Sequence, residues 1–213
     1  MCGRIFVDDD TLREIEKIVK NIDAKRAKRG EVHPSEPAVV LCAEKESSAS
    51  SSLDFQALTA AVMDWGYEMK GTGKLMFNAR SETVKERPMF RADYAVRRCV
   101  VPVKKFYEWK RVGAREKEKY EFLEPGQILY LAGIYAKDND GSRFAILTRD
   151  AEGCMKEIHD RMPVILERES VEDWIFSRTE ADRLLERSFE RLKRMQSDLE
   201  YEQLSLFGIN YSH

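Results

Sequence analysis

The chain is 213 residues long, with 43% hydrophobic residues and 36 Lys and Arg against 38 Asp and Glu, a formal net charge of -2. This is the make-up of a globular protein with one sizeable core, and no apolar run approaches the length that crosses a bilayer. The four cysteines (Cys2, Cys42, Cys99 and Cys154) lie far apart and the three histidines (His33, His159 and His213) add no ligand spacing, so a zinc site is set aside and no cofactor is expected. Arg4 and the run Asp8, Asp9, Asp10 stand where a secretory signal needs apolar residues. The expected setting is therefore the cytoplasm, with the thiols reduced.

In chain order, residues 3–7 read as a short strand. Asp8 to Asp10 are N-cap candidates for a helix in which Leu12, Ile15, Ile18, Val19 and Ile22 recur at helical spacing. Residues 24–31 form a basic connector, and Pro34 and Pro37 punctuate a turn into an apolar strand over 38–43. A serine patch at 47–52 marks a hairpin loop or a local insertion, because strand-like sequence resumes at 58–65. In Trp65-Gly66-Tyr67 a glycine between two aromatics suggests a bulge or a close backbone approach. Asn78 and Arg80, two apart on an extended segment, share one side of it and could aim an amide and a guanidinium into a common pocket; the alternative for Asn78 is a local cap or turn. A short helix or turn is expected over 86–94.

Residues 97–103 and 104–110 read as two further strands. In the second, Phe106, Glu108 and Lys110 alternate with Lys105, Tyr107 and Trp109. Glu108 is then either a partly desolvated carboxylate that exchanges protons or a strand-edge partner for a nearby lysine. Strands at 120–123, 128–135 and 143–148 follow, joined by polar turns such as 138–141. A helix over 151–158 delivers His159, a lone histidine that is structural or catalytic. Helices at 172–175 and 180–200 close the chain, the latter with Leu184, Leu185, Phe189 and Leu192 as a narrow apolar stripe. Charge is spread unevenly. Residues 70–119 hold 15 Lys and Arg against 6 Asp and Glu, a candidate face for an anionic ligand unless acidic neighbours neutralise it in space.

Chemistry concentrates at Met1-Cys2-Gly3-Arg4. Cys2 is small enough for a methionine aminopeptidase to remove Met1, which leaves an α-amine and a thiol on one residue. The two groups titrate near pH 8 and about 8.5 in model compounds, so each has an appreciable nucleophilic fraction at neutral pH. Such an aminothiol condenses with an aldehyde to an imine, and the sulfur closes onto the same carbon to give a thiazolidine. With Met1 retained the amine is acylated, and Cys2 reads as a small buried hydrophobe.

Taken together, Met1-Cys2-Gly3-Arg4, Pro34 ahead of a strand, Trp65-Gly66-Tyr67, Asn78-Ala79-Arg80-Ser81-Glu82-Thr83, Phe106-Tyr107-Glu108-Trp109-Lys110, Thr148 and His159-Asp160-Arg161-Met162-Pro163-Val164 closely resemble the SRAP family, the SOS response-associated peptidase domain. They follow the family's order over residues 2–176. The resemblance implies an α+β fold over residues 1–176, a compact domain around a barrel-like, mostly antiparallel β-sheet with flanking helices; the residues beyond it read as a charged C-terminal helix and tail over 177–213. It also implies a groove for single-stranded DNA. A mature Cys2 would capture the ring-opened aldehyde of an abasic deoxyribose in a covalent DNA-protein crosslink, with slow release as a second activity.

By the same resemblance Cys2, Asn78, Glu108 and His159 are the catalytic set. Cys2 supplies amine and thiol, Glu108 takes a proton from it, His159 acts as general acid on the sugar, and Asn78 holds the terminal amine. Arg4 and Arg80 match phosphate-contacting arginines, with Arg161 in support. Trp65, Tyr67 and Trp109 are candidates for stacking or for shaping the groove, Trp65 being better suited to the core. Glu31, three residues before Pro34, the long serine patch and the tail from Arg178 depart from the family pattern and leave the last strand of the sheet open.

The expected partner is single-stranded DNA containing abasic sites, met by a monomer that is nucleoid-associated if the source is bacterial. Two other readings stay open. In one, Cys2 is the nucleophile of an N-terminal-nucleophile thiol peptidase that removes its own leader, for which the basic, aromatic middle of the chain has no use. In the other, the chain is a plain single-strand binding module in which Cys2 is incidental and no covalent product forms.

Overall fold

The computed structural model describes residues 2–19, 24–44, 57–69, 71–113, 115–138 and 141–196. Met1, Ile22, the serine patch at 47–52, residues 139–140 of the polar turn and the chain after Gln196 lie outside them. Among the described residues the order is β1 (Ile5–Val7), α1 (Asp9–Ile18), β2 (Gly30–Val32), β3 (Pro37–Ala43), β4 (Leu58–Trp65), β5 (Tyr67–Met69), β6 (Lys74–Met76) and β7 (Asn78–Arg80). There follow α2 (Arg91–Val96), β8 (Arg98–Val103), β9 (Lys105–Arg111), β10 (Lys117–Leu123), β11 (Leu129–Asp138), β12 (Gly141–Asp150), β13 (Arg161–Pro163), β14 (Ile165–Leu166), α3 (Val171–Phe176), α4 (Arg178–Leu184) and β15 (Lys193–Gln196).

Five of these strands close on themselves. β12 pairs with β4, β4 with β3, β3 with β8, β8 with β11, and β11 returns to β12. The pairing of β12 with β4 is parallel and the other four are antiparallel, which makes a closed barrel with no free edge inside the ring. Its strands are near-continuous apolar runs, with β8 and most of β11 buried on both faces. Closure needs close approach at Gly133. A Cβ there would stand 3.0 Å from the Cys99 sulfur and 3.1 Å from the Ala145 carbonyl oxygen.

A second sheet, in the order β15-β10-β9-β1-β2, lies beside the barrel. Its period-2 alternation sorts the side chains cleanly. Ile5, Val7, Val32, Phe106 and Phe122 are buried, with the Phe106 and Phe122 rings stacked at 5.1 Å. The opposite face carries Arg4, Phe6, Glu31, Lys105, Tyr107, Trp109 and Lys119, with Tyr107 itself buried beneath its neighbours. α1 starts at Asp8, whose Oδ1 accepts from the Thr11 amide at 2.8 Å, and it buries Leu12 and Ile15. α2 and α3 are tied to the barrel by Arg98 of β8. Its buried guanidinium donates to the carbonyls of Tyr94 and Ala95 in α2 and of Trp174 and Ile175 in α3, so one cation caps the negative ends of two helices.

The short helix or turn expected over 86–94 is turn up to Phe90 and helix from Arg91, Pro88 disfavouring helical backbone at the residue before it. The fold departs from the sequence expectations in two places. The helix expected over 151–158 is a single 3-10 turn, Gly153–Met155, whose glycine has φ 53°. The helix expected over 180–200 ends at Leu184, and Lys193–Gln196 pairs with β10 instead. Leu184, Leu185, Phe189 and Leu192 are all buried, so the apolar stripe is used, but by a chain that turns to cover the edge of β10. Residues 193–196 therefore join the second sheet instead of continuing a helix.

Barrel closure gives the first prediction. Gly133→Ala adds a methyl where neither the neighbouring sulfur nor the carbonyl has room, and it should cost about 1 to 3 kcal/mol. Thermal denaturation should show a drop of several degrees, partly recovered when Cys99→Ala removes the sulfur.

Candidate active site

Gly66 starts the assembly of the site. It sits in the left-handed region at φ 120°, and a Cβ on it would lie 3.4 Å from Leu75. There the chain leaves β4, runs through the β5-β6 hairpin and returns as β7, which takes over from β4 alongside β12, with Asn78 opposite Ile146 and Arg80 opposite Thr148. The other edge of the same end of β12 pairs with β13, Asp150 opposite Arg161, so His159 arrives just ahead of that pairing. β1 and β9 bring the remaining groups, since Ile5 pairs with Phe106 and the Tyr107 amide donates to the Arg4 carbonyl. Continuing that register sets Gly3 opposite Glu108.

These four segments bring Cys2, Asn78, Glu108 and His159 together. Asn78 Nδ2 donates to the Cys2 carbonyl oxygen at 2.8 Å, and its Oδ1 is buried without a hydrogen-bond partner. Glu108 is 4% exposed, the one carboxylate on the buried face of β9, and its Oε1 lies 3.3 Å from His159 Nε2. Cys2 is 1% exposed. Burial pushes its thiol far above the usual thiol range, and the charge of Glu108 adds to the effect.

His159 Nδ1 has two neighbours of opposite demand. The Arg161 amide donates to it at 2.9 Å, and Asp160 Oδ1 lies 2.7 Å away. With Nδ1 accepting from Arg161, the ring proton sits on Nε2 and faces Glu108. With Nδ1 protonated, Asp160 is the acceptor. The imidazole thus has a partner for either form, which suits a group that gives and takes protons.

The residues assigned to DNA divide differently. Trp65 is fully buried, stacked on Phe144 and edge-on to Phe77, with its Nε1 donating to the Phe77 carbonyl at 2.9 Å. Tyr67 is buried against Phe90. Both rings pack in the core, the role that suited Trp65 from the start, and neither has a face for a base to stack on. Arg161 is buried too. Its guanidinium makes a bidentate pair with Glu82 at 2.7 and 2.8 Å, donates to the Thr148 carbonyl at 2.7 Å and pairs with Asp150. It is a clamp rather than a surface phosphate ligand. Arg80 is exposed, and Arg4 lies over the Trp109 ring at 4.7 Å.

Sequence reasoning assigned no role at the site to Glu82, Asp150 or Asp160. Arg161, the partner of Glu82 and Asp150, is brought close by the pairings of β12, which no local spacing announces, whereas Asp160 adjoins its partner His159 in the chain. Among the described residues no group of three or more His, Cys, Asp and Glu side chains could hold a metal ion, and no helix is long and apolar enough to cross a membrane.

A five-stranded barrel flanked by a second sheet, with a cysteine at the start of the first strand beside an amide, a carboxylate and an imidazole, defines a narrow class of α+β domain. The chain belongs to the SOS response associated peptidase (SRAP) family, whose model matches residues 1–205. It is 33% identical over 184 residues to the abasic site processing protein YoqW of Bacillus subtilis strain 168, covering 82% of this chain and 80% of that one. Over 168 residues it is 29% identical to the abasic site processing protein HMCES of Rattus norvegicus, covering 62% of this chain and 47% of that one. Among solved structures, a phage-related protein of Bordetella bronchiseptica superposes with a TM-score of 0.73 at 25% identity, over 93% of this chain and 95% of that one.

The clamp on Arg161 has a pH signature. The Arg161 hydrogen bonds hold the Glu82 carboxyl below its ordinary value of 4.5. Because the folded-state value is depressed, the contribution is complete above pH 4.5 and is lost as the pH falls through the lower folded-state value. Glu82→Gln should therefore lower the melting temperature at pH 7, and the gap to the unmodified chain should close as the pH drops below 4.5. Thermal denaturation across a pH series checks this; a gap of constant size would mean that the charge of Glu82 is not what the clamp uses.

Proposed function

We propose that this chain captures the ring-opened aldehyde of an abasic site in single-stranded DNA as a thiazolidine on Cys2, and so shields the lesion. The observation that carries this reading is the convergence of Cys2, Asn78, Glu108 and His159, drawn from segments at both ends of the sequence. The names of the relatives, abasic site processing proteins, support the same substrate.

The reaction needs the peptide bond before Cys2 to be cut, so that its nitrogen becomes an amine. The amine attacks the aldehyde carbon, and His159 as general acid protonates the departing hydroxyl, which leaves as water and gives an imine. The thiol then adds across the C=N bond: the sulfur bonds to carbon, the nitrogen gains a proton, and the five-membered ring closes. One water is released in all. Since burial keeps the Cys2 thiol protonated, sulfur attack needs a base at hand, and Glu108 is that base. Asn78, already bonded to the Cys2 carbonyl, fixes the residue in place, and its unpartnered Oδ1 accepts a hydrogen bond from the amine. Arg4, Arg80 and Trp109 supply contacts to the strand, which makes binding salt-dependent and indifferent to sequence.

Intact-protein mass spectrometry after incubation with an oligonucleotide holding one abasic site tests this. The unmodified protein, with Met1 gone, should gain the mass of the strand less one water, and Cys2→Ala should gain nothing. Glu108→Gln and His159→Ala should form the adduct slower by about 10²-fold or more. Loss of Met1 without any adduct would overturn the reading.

A further inference from the structure

On the outward face of the second sheet, three cations lie over aromatic rings. Arg4 is 4.7 Å from the centroid of Trp109, Lys119 is 4.4 Å from that of Tyr107, and Lys105 is 5.1 Å from that of Phe6. Two of them converge on one carboxylate. Arg4 Nη1 is 3.0 Å from Glu31 Oε2, and Lys119 Nζ is 2.9 Å from Glu31 Oε1. β2 makes this possible by setting Glu31 opposite Phe6 in the register of β1. The two oxygens of Glu31 thus bridge two cations, as two non-bridging oxygens of a phosphate diester would.

The carboxylate is ionised at neutral pH. Partial burial opposes its charge, but Lys119 and Arg4 outweigh that and hold it below the usual carboxylate range. An approaching strand meets a trio of net charge +1 where the two cations alone would present +2. Lys105 pairs with another carboxylate, Glu121, at 2.7 Å, so the pattern of cation and carboxylate extends across the face.

We propose that Glu31 is a specificity-determining residue: it stands where a strand phosphate would bind between Arg4 and Lys119, so that lesion-free single strands are held weakly until they displace it. This rests on the single-strand reading given above. Non-covalent affinity is kept low for every strand alike, and retention is left to the covalent step, which only an aldehyde permits.

The test is fluorescence anisotropy of a lesion-free thymine oligonucleotide with the unmodified protein, Glu31→Gln and Glu121→Gln, over a range of salt. Glu31→Gln is isosteric and should bind about 5- to 10-fold more tightly near 50 mM salt, with a log-log salt slope steeper by about 0.7 to 1.4, the increment for one or two more phosphates on a single strand. Glu121→Gln, which changes net charge equally, should gain less and leave the slope nearly unchanged. The proposal is overturned if Glu31→Gln binds no more tightly than the unmodified protein, or if both variants gain alike, which would make the effect one of overall charge. Adduct formation by the unmodified protein on an abasic strand is measured separately: an adduct with no gain in Glu31→Gln sinks this proposal alone, whereas no adduct and no binding sinks the reading beneath it.

Discussion

Everything in this molecule hangs on β12 being paired along both edges. Its first half closes the barrel between β4 and β11, and its second half holds β7 on one side and β13 on the other. Backbone hydrogen bonds of the barrel therefore also fix the separation of Asn78, at the start of β7, and His159, just ahead of β13. A site built in this way inherits the rigidity of the core. Glu108 is positioned by the same logic from the other sheet, where the alternation of β9 turns a single carboxylate inward among phenylalanines.

The sequence carried more of the site than of the connections that build it. The alternation at 105–111 was readable because the strand alternates strictly and its two faces differ in chemistry. Asp8 was readable as a helix cap because capping is local. The short segments 153–155 and 193–196 were not, since their outcome is decided by partners far away: β15 is a strand because β10 has an edge to cover, and the charged stretch around Arg191 is drawn down by Glu124 and Glu167. For the same reason the clamp on Arg161 was invisible. Glu82 lies 79 positions from it in the chain, and the arginine on its own reads as a surface cation.

Two buried arginines show how differently one side chain is accommodated. Arg161 is neutralised by carboxylates and serves the loop that carries His159. Arg98 donates to four backbone carbonyls and is held by the ends of two helices. The first depends on the ionisation of its partners and weakens in acid; the second depends on dipoles that do not titrate. The frame of the barrel and the neighbourhood of the imidazole therefore respond separately to pH, although both rest on the same kind of cation.

The burial of Cys2 also bears on when the protein can mature. Its β1 pairs with β9, Ile5 with Phe106, so about one hundred residues must follow β1 before its partner strand exists. At a synthesis rate of about 5 to 20 residues per second, roughly 5 to 20 s pass between the making of the N-terminal segment and that of the strand that covers it on this side. Once the sheet forms, Cys2 is 1% exposed. For the activity proposed here, the cut before Cys2 is best made inside that interval, which makes the nucleophile a product of the timing of translation and folding as much as of the sequence itself.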